Sequence, residues 1–265
     1  MVLSHLINCI ILPYNHFFIK IIIADNFYKQ IYLIIIMQKK VIVLSLGGSL
    51  IIPNDINLEY LKKFKKIILK NSRNYKFIIV CGGGSVARKY IYALKKVGLN
   101  HVLQGFAGIS ATRMNARFMS YFFGQDQERG IPHKLSELQH YASKFNVGFC
   151  GSLEYDRKQT SDSTAAQIAG FLRCGFVNLT NVNGLYNKNP SEYKDAKLIP
   201  EISWEEFDKM ANKIKYEPGQ HFVLDQTASK IIKKNKTPTY ILGKDIRQLD
   251  NLLNGKKFIG TKIEE

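Results

Sequence analysis

Gly47-Gly48-Ser49 and Gly82-Gly83-Gly84-Ser85 are the residues of this chain best suited to hold an anion. Each cluster follows an apolar, β-branched run (Val41 to Leu46; Phe77 to Val80) and precedes a segment with helical spacing. Glycine lets the backbone approach a ligand closely, and a strand-to-helix turn aims unpaired N–H groups and the positive end of the helix at it. Phosphate is the usual guest of such a cradle. One glycine cluster alone would read as a tight turn. Two of them after successive predicted strands point to phosphoryl transfer.

Two other phosphate chemistries fit less well. No Gly-x-x-x-x-Gly-Lys-Ser/Thr string occurs, which disfavours a P-loop ATPase. Gly82-x-Gly84-x-x-Ala87 matches a relaxed dinucleotide fingerprint, but His101 to Phe106 lacks the acidic residue that a ribose would need about 20 positions downstream. A nicotinamide enzyme is therefore the weaker reading.

The elements that must position these loops alternate. Strands are predicted at Val41 to Leu46, Phe77 to Val80, Val147 to Cys150, Phe176 to Thr180, Thr239 to Leu242 and Phe258 to Ile263. Helices are predicted at Leu58 to Lys70, Ser85 to Val97, Thr112 to Phe123, Leu135 to Phe145, Asp162 to Leu172, Trp204 to Asn212, Phe222 to Lys233 and Ile246 to Leu253, with Asn181 to Pro190 a turn-rich loop. This order implies an α/β fold, a three-layer αβα sandwich around a mostly parallel sheet. Residues 1–36 are apolar and nearly uncharged, without a basic leader region or a small-residue cleavage site. Asn8, Pro13, Asn15 and His16 interrupt any membrane span there. The expectation is a non-native or disordered extension, with the domain beginning at Met37.

With 265 residues the chain can bury a substantial core. Cys9, Cys81, Cys150 and Cys174 show neither metal-ligand spacing nor a secreted framework, so a reducing cytoplasm is expected and no metal-ligating set is assigned. Cys81 and Cys150 read as core packing. The formal charge of +17 would attract polyanions, but its lysines are spread as Lys62-Lys63, Lys65-Lys66, Lys95-Lys96, Lys233-Lys234 and Lys256-Lys257 without interleaved aromatics. Neither a nucleic-acid nor a membrane partner is expected.

From Met37 onward the order of motifs resembles the uridylate kinase branch of the amino-acid kinase superfamily, particularly its archaeal-type members. The blocks are Leu46-Gly47-Gly48-Ser49, Gly82 to Tyr90, Gly108 to Ala116, Thr180 to Tyr186, and Leu224-Asp225 with Ala228 to Ile231. The resemblance implies ATP-dependent phosphorylation of a nucleoside monophosphate, most simply UMP, with Mg2+ on the phosphates and a homo-oligomeric, hexameric assembly. It implies an acceptor-binding part, 37–175, and an ATP-binding part, 176–265. Gly47 and Gly48 would stabilise the transferring phosphoryl group and Asp162 would organise the catalytic centre. Gly83, Gly84, Arg88, Thr112 and Arg113 would bind the acceptor. Gly48, Ser49, Thr180, Asn181, Asn183, Gly184, Tyr186 and Asn189 would bind ATP. Read without the resemblance, Thr112 is a helix N-cap and Asp162 an N-cap or first-turn acid.

Four features depart from the branch. Ser45 stands where many relatives carry a Lys facing the transferring phosphate, and Gly105 where an aspartate meets the acceptor ribose. The loop from Gly151 to Asp162 is longer and charged, with Arg157 or Lys158 a substitute source of the missing cation. Asn183 and Asn189 replace two aspartates of the donor loop. A sibling kinase with another small acceptor and a catalytically weak nucleotide-binding protein are the alternatives that these changes keep open.

Overall fold

The computed structural model describes residues 19–24, 32–37, 39–125, 130–155, 160–213 and 223–265. The chain divides into two compact units, Met1–Lys40 and Val41–Glu265. In the first, β1 (Ile19–Ala24) and β2 (Tyr32–Met37) pair antiparallel, with Ile19 opposite Met37.

The second unit runs β3 (Lys40–Leu46), α1 (Gly48–Ile51), α2 (Leu58–Asn71), β4 (Tyr75–Cys81), α3 (Gly84–Lys96), α4 (His101–Phe122), α5 (Leu135–Lys144), β5 (Val147–Cys150), α6 (Ser161–Leu172) and β6 (Gly175–Leu179). It continues with β7 (Leu185–Tyr186), β8 (Leu198–Ile199), β9 (Glu201–Ser203), α7 (Trp204–Lys213), α8 (Gln226–Asn235), β10 (Thr239–Leu242), α9 (Arg247–Leu253) and β11 (Thr261–Glu264). Seven strands form one sheet in the order β5-β4-β3-β6-β10-β11-β9. The pairs β4/β5, β3/β6, β6/β10 and β9/β11 are parallel and β10/β11 is antiparallel.

The two-residue period of the strands sorts their side chains onto two faces. Ile42, Leu44, Leu46, Phe77, Ile79, Val177 and Leu179 pack under α2, α4 and α9, against Leu61, Phe64, Ile68, Met119 and Leu249. Val43, Ile78, Val80, Phe176, Ile241 and Ile263 pack on the other side against α6, α7 and α8, through Ala165, Ile168, Phe207, Ala228 and Ile232. The result is the expected three-layer sandwich. Continuous burial of the central strands explains why they read as unbroken apolar runs rather than alternating ones. No helix among the described residues is long and apolar enough to cross a membrane.

Several expected boundaries move. The helix predicted from Thr112 starts a full three turns earlier, at His101, with Asn100 Oδ1 accepting from the Leu103 N–H as N-cap. Gly105 and Gly108 hid this first half, because glycine is a poor helix former. Thr112 is therefore mid-helix and not an N-cap. The segment expected as a helix from Phe222 instead begins at Gln226, because Asp225 caps α8 by accepting from the Ala228 N–H at 2.8 Å. The last strand starts at Thr261 rather than Phe258, and the turn-rich 181–190 loop carries the short strand β7, paired with β8.

Candidate active site

The strand β3 sits between β4 and β6, so the chain leaves it toward one side and later returns on the other. Crevices at such switch points, beyond the carboxyl ends of the strands, are where open α/β sheets hold ligands. Both glycine clusters are at this edge, directly after Leu46 and Cys81.

The two clusters touch backbone to backbone. A Cβ on Gly48 would fall 2.0 Å from Gly84 N and 2.8 Å from the Gly82 carbonyl carbon; one on Gly82 would fall 2.4 Å from Gly48 N. Only glycine permits that approach. Gly84 also has φ of +62°, a left-handed conformation costly for other residues. Further bonds lock the loops: Gly82 N–H donates to Leu46 O at 2.9 Å, Ser85 N–H to Ile52 O at 3.0 Å, and Gly47 N–H to Leu179 O at 3.0 Å. Gly47 is thereby committed to β6, whereas the N–H groups of Gly48, Ser49, Gly83 and Gly84 have no hydrogen-bond partner among the described residues. Four donors at two adjoining turns form a basin with the chemistry to donate hydrogen bonds to the oxygens of an anion such as phosphate.

Behind the basin lies a carboxylate network. Ser45 and Asn178 are register partners on β3 and β6 and are both buried. Ser45 Oγ donates to Asp162 Oδ1 at 2.6 Å, and Asn178 Nδ2 donates to Val223 O at 2.6 Å. Thr160, the N-cap of α6, accepts from Asp162 N–H at 3.1 Å and donates its hydroxyl to Asp225, the N-cap of α8. Two helix N-termini are so tied to each other and to the central strands. Burial pushes the Asp162 carboxyl up to about 6, opposed by the Ser45 hydrogen bond and assisted by the nearby Asp225 charge. Burial raises Asp225 as well, while the Thr160 hydroxyl and backbone N–H groups oppose it. Among the described residues neither aspartate has an ion-pair partner.

The helix α4 is the other wall. Asn115 Nδ2 donates to Gly82 O at 2.7 Å, and a Cβ on Gly83 would meet Gly108 O and the Ala111 side chain at 3.6 Å. Thr112 Oγ1 accepts from Ser152 N–H at 2.9 Å and donates to Ile109 O. Arg113 Nε donates to Ser152 O at 3.1 Å and Nη2 to Leu153 O, so its guanidinium braces the segment after β5. Arg88 lies in the second turn of α3, exposed, with Nη2 donating to Pro53 O at 3.2 Å. Arg157 and Lys158 lie outside the described residues. Cys81 and Cys150 are buried, and burial drives both thiols well up, Cys150 to about 12, which fits packing rather than redox chemistry.

On the β6 side, Thr180 N–H donates to Leu242 O at 2.9 Å and its hydroxyl to Asn181 Oδ1 at 3.3 Å. Gly184 allows Thr261 Oγ1 to come within 2.7 Å of where a Cβ would be, and that hydroxyl accepts from Leu185 N–H. Tyr186 is half-buried in β7. Asn183 packs on Gly243, and Asn189 closes a turn with Ser191 and Glu192.

The sequence pattern of the Amino acid kinase family matches residues 40–243, from the start of β3 to just past β10. The chain belongs to this family. The uridylate kinase of Thermoplasma volcanium is 32% identical over 225 residues, covering 84% of this chain and 97% of the relative. That of Methanobrevibacter smithii is 29% identical over 224 residues, covering 84% and 98%. The crystal structure of uridylate kinase from Archaeoglobus fulgidus superposes with a TM-score of 0.71 at 28% identity, covering 84% of this chain and 99% of that one. The UMP kinase of Bacillus anthracis shares the fold at a TM-score of 0.68 and 16% identity. In family terms, the structure brings Gly48, Ser49, Gly83 and Gly84 together with Asp162 behind them. Sequence reasoning left out Asn115, Thr160, Asn178 and Asp225, which act through the backbone around the site. Thr160 and Asp225 are both N-cap types before a helical run, a signal that could have found them.

Proposed function

We propose that this chain is a uridylate kinase, transferring the ATP γ-phosphoryl group to UMP to give UDP and ADP. The carrying observation is the contact between Gly48 and Gly82–Gly84, which sets two phosphate cradles side by side, as a direct transfer between two nucleotides requires. The names of the relatives, matched over almost their whole length, support the same reading.

On this reading Gly48 and Ser49 receive the transferring phosphoryl group, with Gly47 fixing their turn. Thr180, Asn181, Asn183, Gly184, Tyr186 and Asn189 hold the rest of ATP. The acceptor phosphate lies on Gly83 and Gly84, with Arg88 swinging from Pro53 O to meet it. Thr112 and Arg113 serve the acceptor indirectly, by bracing the wall that encloses it. Asp162 organises the centre. Residues 37–265 carry the activity, with 37–175 on the acceptor side and 176–265 on the ATP side. The enzyme is cytoplasmic and assembles as a homo-oligomer, by resemblance a hexamer.

A magnesium ion fits as a guest of the nucleotide. No cluster of three metal-ligating side chains exists among the described residues, and magnesium commonly takes one or two carboxylates plus substrate phosphates. Asp162 is the residue that would hold it, and the ion would neutralise phosphate charge. Arg88→Ala tests the acceptor assignment. The acceptor KM should rise about 10- to 100-fold, the loss of one charged hydrogen bond, while the KM for ATP stays within about twofold. An unchanged acceptor KM would remove Arg88 from the site.

A further inference from the structure

The segment after β5 runs along α4 in the reverse direction. Gly151 and Ser152 meet Thr112 and Arg113, Leu153 O receives the Arg113 guanidinium, and Tyr155 reaches Gly105. A Cβ on Gly105 would fall 2.3 Å from Tyr155 Cε2, so a side chain at 105 and the Tyr155 ring compete for one space. The ring also pairs with Phe106 at a centroid distance of 5.0 Å and a tilt of 42°. Phe106 remains 49% exposed and Tyr155 half-buried, and no described residue hydrogen-bonds the Tyr155 hydroxyl. An anchored, incompletely covered aromatic pair is an unusual feature for a loop that otherwise carries charges.

Its place explains it. Gly108, whose carbonyl oxygen lies 3.6 Å from where a Gly83 Cβ would be, is three residues from Gly105 along α4, an axial step of about 4.5 Å. The rings therefore stand one helical turn beyond the glycine cradle along the wall that encloses it. A phosphate seated on Gly83 and Gly84 would direct its sugar and base along this wall.

We propose that Tyr155, seated on Gly105 and paired with Phe106, receives the nucleobase of the acceptor nucleotide by stacking. This inference rests on the kinase reading above. An aromatic face binds a flat pyrimidine without hydrogen-bond readout, so the wall supplies affinity for a nucleotide over a bare sugar phosphate. Gly105 is required because a larger residue would displace the ring.

The test compares the full chain with its Tyr155→Ala, Tyr155→Phe and Phe106→Ala variants, using UMP as acceptor and ribose 5-phosphate as competitive inhibitor. Tyr155→Ala should raise the KM for UMP roughly tenfold, leaving the Ki for ribose 5-phosphate and the KM for ATP within about twofold. Tyr155→Phe should keep the wild-type KM, since the face and not the hydroxyl acts. Phe106→Ala should shift the KM for UMP in the same sense, and it carries the test if Tyr155→Ala does not fold. A folded variant with unchanged KM for UMP, or an equal rise in both constants, would overturn the inference while the kinase reading stands. Wild-type protein that turns over no nucleoside monophosphate would overturn both.

Discussion

Asp162 is a buried charge held by hydrogen bonds alone among the described residues. With Ser45 beside it, the carboxylate has a hydroxyl donor but no described cation, and burial lifts it to about 6 from the ordinary 3.8. An acid raised on folding binds more protons folded than unfolded between those values, so stability falls as pH rises from about 4 to 6 and then levels off. Asp162→Asn keeps an acceptor for Ser45 and removes the charge. It should raise unfolding stability at pH 7 by roughly 1–3 kcal/mol, with the gain vanishing below about pH 4, while turnover collapses. Denaturant melts at pH 4 and pH 7 check this; a loss of stability at pH 7 would contradict it. The identity of Asp162 as a helix-start acid was legible from Thr160-Ser161-Asp162. Its bond to Ser45, 117 positions away, was not, because no local pattern encodes contacts between a strand and a distant helix cap.

Among elements, the glycine turns and α4 carry the site, and they were legible to different degrees. Gly82-Gly83-Gly84 announces a turn by composition, and α3 begins at Gly84, one residue before the predicted Ser85. The early half of α4 was invisible because Gly105 and Gly108 weaken the helical signal, yet those are the positions where the Tyr155 ring and the Ile91 side chain press against the helix. Local propensity failed there because tertiary contact chose the residues. Gly48→Ala sets a Cβ against backbone atoms of the other loop and should cost more than about 2 kcal/mol, with activity lost at least a hundredfold. Gly98→Ala is the comparison: φ of +76° makes it cost about 1 kcal/mol, but nothing lies within 4 Å and activity should persist. Equal effects of the two on activity would mean that the Gly48 contact does not serve the site.

At the scale of the molecule, the three layers and the mostly parallel sheet, though not the order of its strands, followed from the alternation of runs such as Val41 to Leu46 and Phe77 to Val80 with amphipathic helices. The short β7, β8 and β9 did not, since strands of two or three residues carry too little periodicity to read, whereas β11 was read as a strand but not as antiparallel to β10. What the whole fold achieves is convergence: β3, β4 and β6 end at one edge, where two glycine turns interlock and two helix caps are bonded behind them. The most direct measurement is ADP release by the full chain with Mg·ATP and each of UMP, CMP, AMP and GMP. The account predicts turnover selective for UMP. Silence with all four monophosphates, from folded protein that still binds ATP, would contradict it.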